Sequence, residues 1–225
     1  LAGHTAMIAA ALAAGQGQGQ LLACDRDAES LEMAKANVAQ VDPELLSRIN
    51  FGHCRFSRLS ETVKAAGWGQ VDGLLADLGV SMFQLTTAER GFSLRNSGPL
   101  DMRMDRGEDL TAADIVNLWS ERDIANLLWE LGEEGGSRKI ARAIVRGRPI
   151  QTTGQLAKLI EGLLPRTNRT SPATKSFQAL RMAVNREPEE LDSLLEQIPT
   201  LVKPGGRAAI ISFMSLDDRK VKQSF

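Results

Sequence analysis

The chain has little of what would fix its class outright. Only two cysteines occur in 225 residues, Cys24 and Cys54, each isolated in an apolar or strand-like stretch. With no CxxC and no Cys/His ligand spacing, neither a structural zinc nor a disulfide framework is expected, and we expect no metal. So few thiols suit a reducing compartment. No apolar run approaches the ~18 residues a bilayer crossing requires, so no membrane span is expected. Low-complexity sequence is confined to Gly15–Gln20, GQGQGQ, which reads as a turn, and there is no internal repeat. Tyrosine is missing altogether. The remaining composition, 43% hydrophobic and 24% charged, is that of a globular protein. The length fits one domain, or one domain carrying an insertion.

Strand and helix signals alternate over the first third. Gly3 opens an Ala-rich helix, Thr5–Ala14, ended by Gly15. A glycine turn that opens a helix normally follows a strand, so the first strand of an α/β sheet is expected to be missing from this fragment, ahead of Leu1. Gln20–Asp25 (QLLACD) reads as a short buried strand ending in an acid. The helix Ala28–Val38 follows, then strands at Ile49–Gly52 and Val71–Leu78. This rhythm predicts parallel pairing in a doubly wound sheet. Ligands of such sheets sit outside the carboxyl ends of the strands. Gly3, Asp25, Phe56 and Asp77 all fall at that edge.

Asp25 follows Gly3 by 22 residues, a spacing that suits a nucleotide site. The glycine turn lets backbone approach the ligand, and the acid accepts hydrogen bonds from ribose hydroxyls. Each residue also has a plainer reading. Asp25 would cap the next helix, Phe56 would be a core aromatic, and His4 a polar group at a helix start.

The segment Val71–Asp105 carries the densest chemistry. After a strand expected to be buried comes a long loop crowded with side chains that can hold a ligand: Ser81, Gln84, Glu89, Arg90, Arg95, Asp101, Arg103 and Asp105. Long loops inside compact chains are usually functional or disordered. The interleaved Phe83, Leu85, Phe92, Leu94, Leu100, Met102 and Met104 argue for an ordered one.

From Leu110 to Asn185 the strand signal disappears. Thr111–Asp114 and Ser120–Asp123 have capping-box spacing. Helices are predicted after Ser120, after a cap at Ser137, over Thr152–Leu164, and from Ser171-Pro172 with the proline in the first turn. A final helix, Pro188–Ile198, is followed by a KPGG turn and a strand, Ala208–Phe213. The net charge of −1 hides an asymmetry. Between Gly136 and Arg186 eleven basic residues, among them Arg138, Arg142, Arg146, Arg148, Arg166, Arg169 and Arg181, face the single acid Glu161. That segment therefore carries +10 and the remainder −11. An excess this lopsided on structured helices points to phosphate contact, hence nucleic acid.

Two ligands fit the sheet edge, a dinucleotide and S-adenosylmethionine. An acid ending the fourth strand favours the second, because it can accept a hydrogen bond from an amine and aim its lone pair at a methyl group. At this point the residues carry a resemblance. The blocks DLGVSMFQLTTAERGFSLRNSGPLDMRMD, GEEGGSRKIARAIV, SPATKSFQALRMAVN and KPGGRAAIISFMSLDDRKVKQSF resemble, in order, the ribosomal small-subunit RNA cytosine-N4 methyltransferases, the MraW family.

The resemblance runs from Ala2 to Phe225. It implies an α/β Rossmann-like S-adenosylmethionine-dependent methyltransferase sheet, residues 1–109 and 187–225, with an inserted basic helical subdomain, residues 110–186, for RNA recognition. It implies methyl transfer to N4 of a cytidine in small-subunit ribosomal RNA. The cofactor site implied is Ala2, Gly3, His4, Asp25, Phe56, Asp77 and Gln84, with Asp77 also catalytic. Asp101, Arg103 and Asp105 would line the cytidine pocket, or instead knot the loop shut with internal ion pairs. Arg138, Arg142 and Arg146 would meet the RNA. The sequence departs from the family pattern at Leu1-Ala2, at Met82-Phe83, and at Met214, where the family usually has histidine. An inactive RNA-binding or ribosome-assembly factor on the same fold is the alternative that Met214 and the expected trimmed start motivate. The partner implied is small-subunit ribosomal RNA or the subunit itself. The compartment implied is the cytoplasm, or alternatively an organelle matrix.

Overall fold

The computed structural model describes residues 2–15, 17–164 and 171–225. Contacts divide the chain into two compact units, Leu1–Ser81 with Pro188–Phe225, and Met82–Glu187.

The first unit alternates helix and strand. Helix α1 (Gly3–Ala14) leads to β1 (Leu21–Asp25), α2 (Ala28–Val41), β2 (Ile49–His53), α3 (Leu59–Ala65) and β3 (Val71–Asp77). Asp27 starts α2 by accepting hydrogen bonds from the Glu29 and Ser30 N–H groups, at 3.1 and 3.3 Å, which satisfies donors that a helix start leaves orphaned. Ala9, Val38, Leu45 and Ile49 close one small core between α1, α2 and β2.

A doubly wound sheet was expected. Among the described residues the strands form two parallel pairs, β1 with β2 and β3 with β4 (Val202–Ile211). The KPGG segment was expected as a turn before a short strand. It lies within β4 as a bulge, because Val71 pairs with Val202 while Gly73 pairs with Arg207. Gly205 takes the left-handed backbone the kink needs, with φ +81°. Gly206 passes so close to the Asp72 carbonyl that a Cβ would sit 2.7 Å from it.

The second unit opens with the short α4 (Met82–Thr86) and a long loop. It continues as α5 (Ala112–Leu118), α6 (Glu121–Gly132), α7 (Ser137–Arg146), α8 (Thr153–Glu161) and α9 (Thr174–Asn185). The loop from Met82 clusters with these helices, ahead of the boundary expected at residue 110. Ile124, Leu128, Ile140, Ile144 and Leu180 are completely buried between α6, α7 and α9. Gly132 lets α6 and α9 touch, since a Cβ there would lie 2.8 Å from the Lys175 carbonyl oxygen.

Capping was partly legible. Thr111 forms the reciprocal box with Asp114, and Ser120 accepts from the Asp123 N–H at 3.2 Å. Thr152 forms a second reciprocal box with Gln155. Ser137, expected as a cap, is instead the buried first residue of α7, with Gly136 in the cap position. Pro172 precedes its helix, because Ser171 Oγ accepts the Ala173 N–H at 3.2 Å and holds a turn that delays α9 to Thr174.

Helix α10 (Glu187–Leu201) and α11 (Ser215–Ser224) complete the chain. Within the first unit, α10 buries Leu194 and Ile198 against Ala76 of β3. It also grips the segment after β2. Glu190 accepts from the Ser57 N–H and hydroxyl at 2.8 and 2.9 Å, and Gln197 Oε1 accepts from those of Ser60 at 2.9 and 2.7 Å.

Candidate functional site

The expected donor residues of the first unit lie at strand ends and at one helix start. Asp77 is the last residue of β3, opposite Ile211 of β4, and the Leu78 N–H donates to the Ile211 carbonyl at 2.9 Å. Its carboxylate is half exposed. His4, in the first turn of α1, brings Nδ1 to 3.5 Å from Asp77 Oδ2. A histidine and an acid 73 residues apart in the chain therefore form one polar pair. Ala2, the residue before α1, holds a left-handed backbone, φ 68°, and offers no side-chain cap. The first N–H groups of α1 thus present positive partial charge with no side-chain cap over them. A Cβ added at Gly3 would meet nothing within 4 Å, so the approach there is open.

Asp25 ends β1, and the two readings of it separate cleanly. Asp27, not Asp25, caps α2. Asp25 Oδ1 instead accepts the Asp27 N–H at 2.8 Å. Burial is the largest influence on its carboxyl and raises its pKa above the usual aspartate value, against the opposing pull of the backbone hydrogen bonds. Beside it, Cys24 and Cys54 share a hydrogen bond. That bond holds the Cys54 thiol down to about 7 and pushes Cys24 well up.

Phe56 opens a short 3-10 turn after β2. Its carbonyl accepts from Gln197 Nε2 at 2.9 Å, and its half-buried ring packs against the cluster of Ala76, Leu194 and Ile198. It is thus a core-edge aromatic with part of its surface left over. Gln84 belongs to the second unit, on α4, and is buried at 3% exposure.

In the loop after α4, Asp101 and Arg103 form a bidentate pair, Nε to Oδ1 at 2.7 Å and Nη2 to Oδ2 at 2.9 Å. Arg103 Nη1 also donates to the Arg106 and Glu108 carbonyls, at 3.1 and 2.6 Å. Burial would raise the Asp101 carboxyl, but the Arg103 side chain and backbone N–H outweigh it and hold it below the usual range. Asp105 accepts the Gly107 N–H at 2.9 Å in a local turn. Arg90, one of the loop residues suited to hold a ligand, is 1% exposed. Its Nη2 donates to the Arg103 and Met104 carbonyls at 3.0 and 2.8 Å. Asn185, which sequence reasoning did not single out, accepts the Met104 N–H at 2.8 Å and donates to the Met102 carbonyl at 2.7 Å. The apolar residues around it gave a sequence reader only a helix face.

The basic segment divides by role. Arg138, Arg142 and Arg146 recur every four residues on the exposed side of α7, opposite buried Ile140, Ala141 and Ile144. Arg142 approaches Glu121 at 3.4 Å, an exposed contact. Others hold structure. Arg148 donates to the Val116 and Trp119 carbonyls, and Arg181 pairs with Glu187 at 2.7 Å. Arg166 and Arg169 lie outside the described residues. No group of three His, Cys, Asp or Glu side chains is placed to hold a metal among the described residues, and no described helix is long and apolar enough to cross a membrane.

Comparison with known proteins gives one family. The MraW methylase family matches residues 1–225. A ribosomal RNA small subunit methyltransferase H of Solibacter usitatus is 53% identical over the whole chain, which covers 76% of that protein. Proteins of the same name from Acidobacterium capsulatum and Koribacter versatilis are each 46% identical over the whole chain, which covers 75% and 72% of them.

Proposed function

This chain belongs to the MraW methylase family, and from that premise we propose that it transfers a methyl group from S-adenosylmethionine to N4 of a cytidine in small-subunit ribosomal RNA. The observation that carries the site is the His4–Asp77 pair at the carboxyl end of β3.

The residues of the first unit suit the donor. The uncapped first turn of α1 suits a carboxylate, the open approach at Gly3 admits backbone contact, and Asp25 is an acid at a strand tip. S-adenosylmethionine supplies a methyl carbon bonded to a positively charged sulfur. In our reading Asp25 accepts hydrogen bonds from the ribose hydroxyls, Ala2, Gly3 and His4 line the amino-acid end, and Phe56 lies beside the adenine. Gln84 is the remaining residue that the family resemblance implies for the donor.

The N4 lone pair of cytidine is delocalised into the ring and is a weak nucleophile. A carboxylate that accepts an N4–H hydrogen bond localises that lone pair and fixes its direction. Asp77 does this, with His4 steadying its orientation, and its carboxylate is placed to take the proton that N4 gives up as the N–CH3 bond forms and to pass it to solvent. Such positioning supplies a large part of the rate. N4 is engaged in base pairing within a helix, so the cytidine is either single-stranded or flipped out. Residues 110–186 grip the phosphates through Arg138, Arg142 and Arg146. Asp101, Arg103 and Asp105 hold their own loop in shape, through the Asp101–Arg103 pair and the Asp105 turn.

For the finer fold, we read β1–β2 and β3–β4 as halves of one Rossmann-like sheet. The substrate is ribosomal RNA or the assembling subunit, and the compartment is the cytoplasm.

The deciding experiment is nucleoside mass spectrometry of small-subunit RNA from cells with and without the gene, beside purified protein given labelled donor. N4-methylcytidine that depends on the gene is expected. Its persistence after deletion, with no transfer in vitro, overturns the proposal.

A further inference from the structure

Phe213 is the most exposed large apolar side chain among the described residues, at 83%. Leaving an aromatic ring in water forgoes burial energy, and single exposed apolar residues need no special cause. Phe213 differs in where it stands. Ile211, the end of β4, is the register partner of Asp77, and their strands are parallel, so both chains exit at the same edge. Phe213 follows two residues later, roughly 7 Å further along an extended chain.

The corner that carries it is pinned. Ser212 Oγ donates to the Met214 carbonyl at 3.2 Å, and that carbonyl also accepts the Asp218 N–H at 2.9 Å at the start of α11. The ring is therefore presented from a defined backbone two residues past the strand position that pairs with Asp77. A carboxylate that binds the edge of a planar base and an aromatic face beside it make complementary halves of one receptor.

We propose that Phe213 stacks on the face of the target cytosine while Asp77 holds its amine. The assignment rests on the methyl-transfer reading above. It gives the enzyme a way to hold an unstacked pyrimidine, because the ring replaces the stacking that the base loses on leaving its helix. It also makes Phe213 a residue of the RNA side of the reaction, with no part in holding the donor.

The test compares wild type, Phe213→Ala and Phe213→Trp with small-subunit RNA as substrate. Phe213→Ala is expected to lower kcat/KM for RNA by about 10- to 100-fold, the range of one lost base–aromatic stack. Its affinity for S-adenosylmethionine should stay that of wild type, and Phe213→Trp should restore most of the loss. RNA carrying a fluorescent cytidine analogue at the methylated position should be quenched by wild type and Phe213→Trp but not by Phe213→Ala. Unchanged turnover in Phe213→Ala, a parallel loss of donor affinity, or a change in oligomeric state would each overturn the stacking role. The two readings fail separately. A wild type that transfers no methyl overturns the enzyme assignment itself, whereas an active wild type with an indifferent Phe213→Ala overturns only this one.

Discussion

His4 Nδ1 lies 3.5 Å from Asp77 Oδ2, which joins the first turn of α1 to the end of β3. Both side chains are about half exposed, so the pair is worth little to stability. Its value is positional, since each group limits the other's orientation at a strand end where ligands collect.

Asp77→Ala should abolish methyl transfer, by about 100-fold or more, because a misaligned nucleophile forfeits most of the advantage of being held in line. RNA affinity should change little, since the arginines proposed to meet the phosphates belong to α7 and not to β3. Turnover assays beside filter binding would check this, and retained turnover removes Asp77 from its role.

Replacing Arg138, Arg142 and Arg146 together with glutamine should weaken RNA binding and flatten its salt dependence. If each side chain neutralises one phosphate, the slope of log K against log salt falls by about 2 to 3. Binding titrations at several salt concentrations decide it. An unchanged slope would place the RNA on another surface. Arg148→Gln and Arg181→Gln should lower stability instead, since these side chains hold carbonyls and Glu187.

Asp25 carries a raised pKa because burial disfavours its charge. In the proposed role Asp25 accepts ribose hydrogen bonds as a carboxylate, so donor affinity should fall on acidification from a pH above the ordinary aspartate range. Calorimetric titration from neutral to mildly acid pH would show it, and Asp25→Asn should bind weakly with a flat profile. The effect on folding has the opposite sign. The folded chain holds this proton more tightly than the unfolded one, so the group's contribution to stability is present at low pH and lost as pH rises through the folded value.

Asp101 behaves the other way. Its pKa is lowered by Arg103 and the backbone, so its stabilising contribution is present above the unfolded aspartate value and lost as pH falls through the folded one. Asp101→Asn should therefore remove part of the acid sensitivity of the second unit. Thermal melts from neutral pH into acid would detect it, and an identical acid limb in the variant would show that the pair carries no linkage.

Asn185→Ala should destabilise the chain by about 2–4 kcal/mol, because it strands the buried Met104 N–H and Met102 carbonyl that Asn185 now serves. Denaturant unfolding would measure it. A loss of under about 0.5 kcal/mol, the size of an ordinary surface change, would mean that the loop does not depend on this strut.

The order of elements was legible because hydrophobic periodicity and capping are local. The apolar run ending at Asp77, the amphipathic face of α7 and the Thr111 box are each written within about one or two turns of chain. Motif order likewise carried the family. Local signals misled where a distant partner competed. The KPGG segment looks like a turn, but β3 draws it into a bulged ladder. Arg90 reads as a ligand-binding cation in a polar loop, yet it is buried to hold that loop's carbonyls.

By itself, then, the sequence determined which residues could do the chemistry: an acid after an apolar strand, a glycine turn, and a helix with arginines along one side. Backbone geometry within one element is enough to decide those. Which side chains meet was settled only in three dimensions. His4 finds Asp77, Asn185 braces the Met102 and Met104 backbone, and Asp77 comes opposite Ile211, through parallel pairing and packing between residues far apart in the chain. No local pattern encodes such contacts, because each depends on the register of two strands or the seat of a helix.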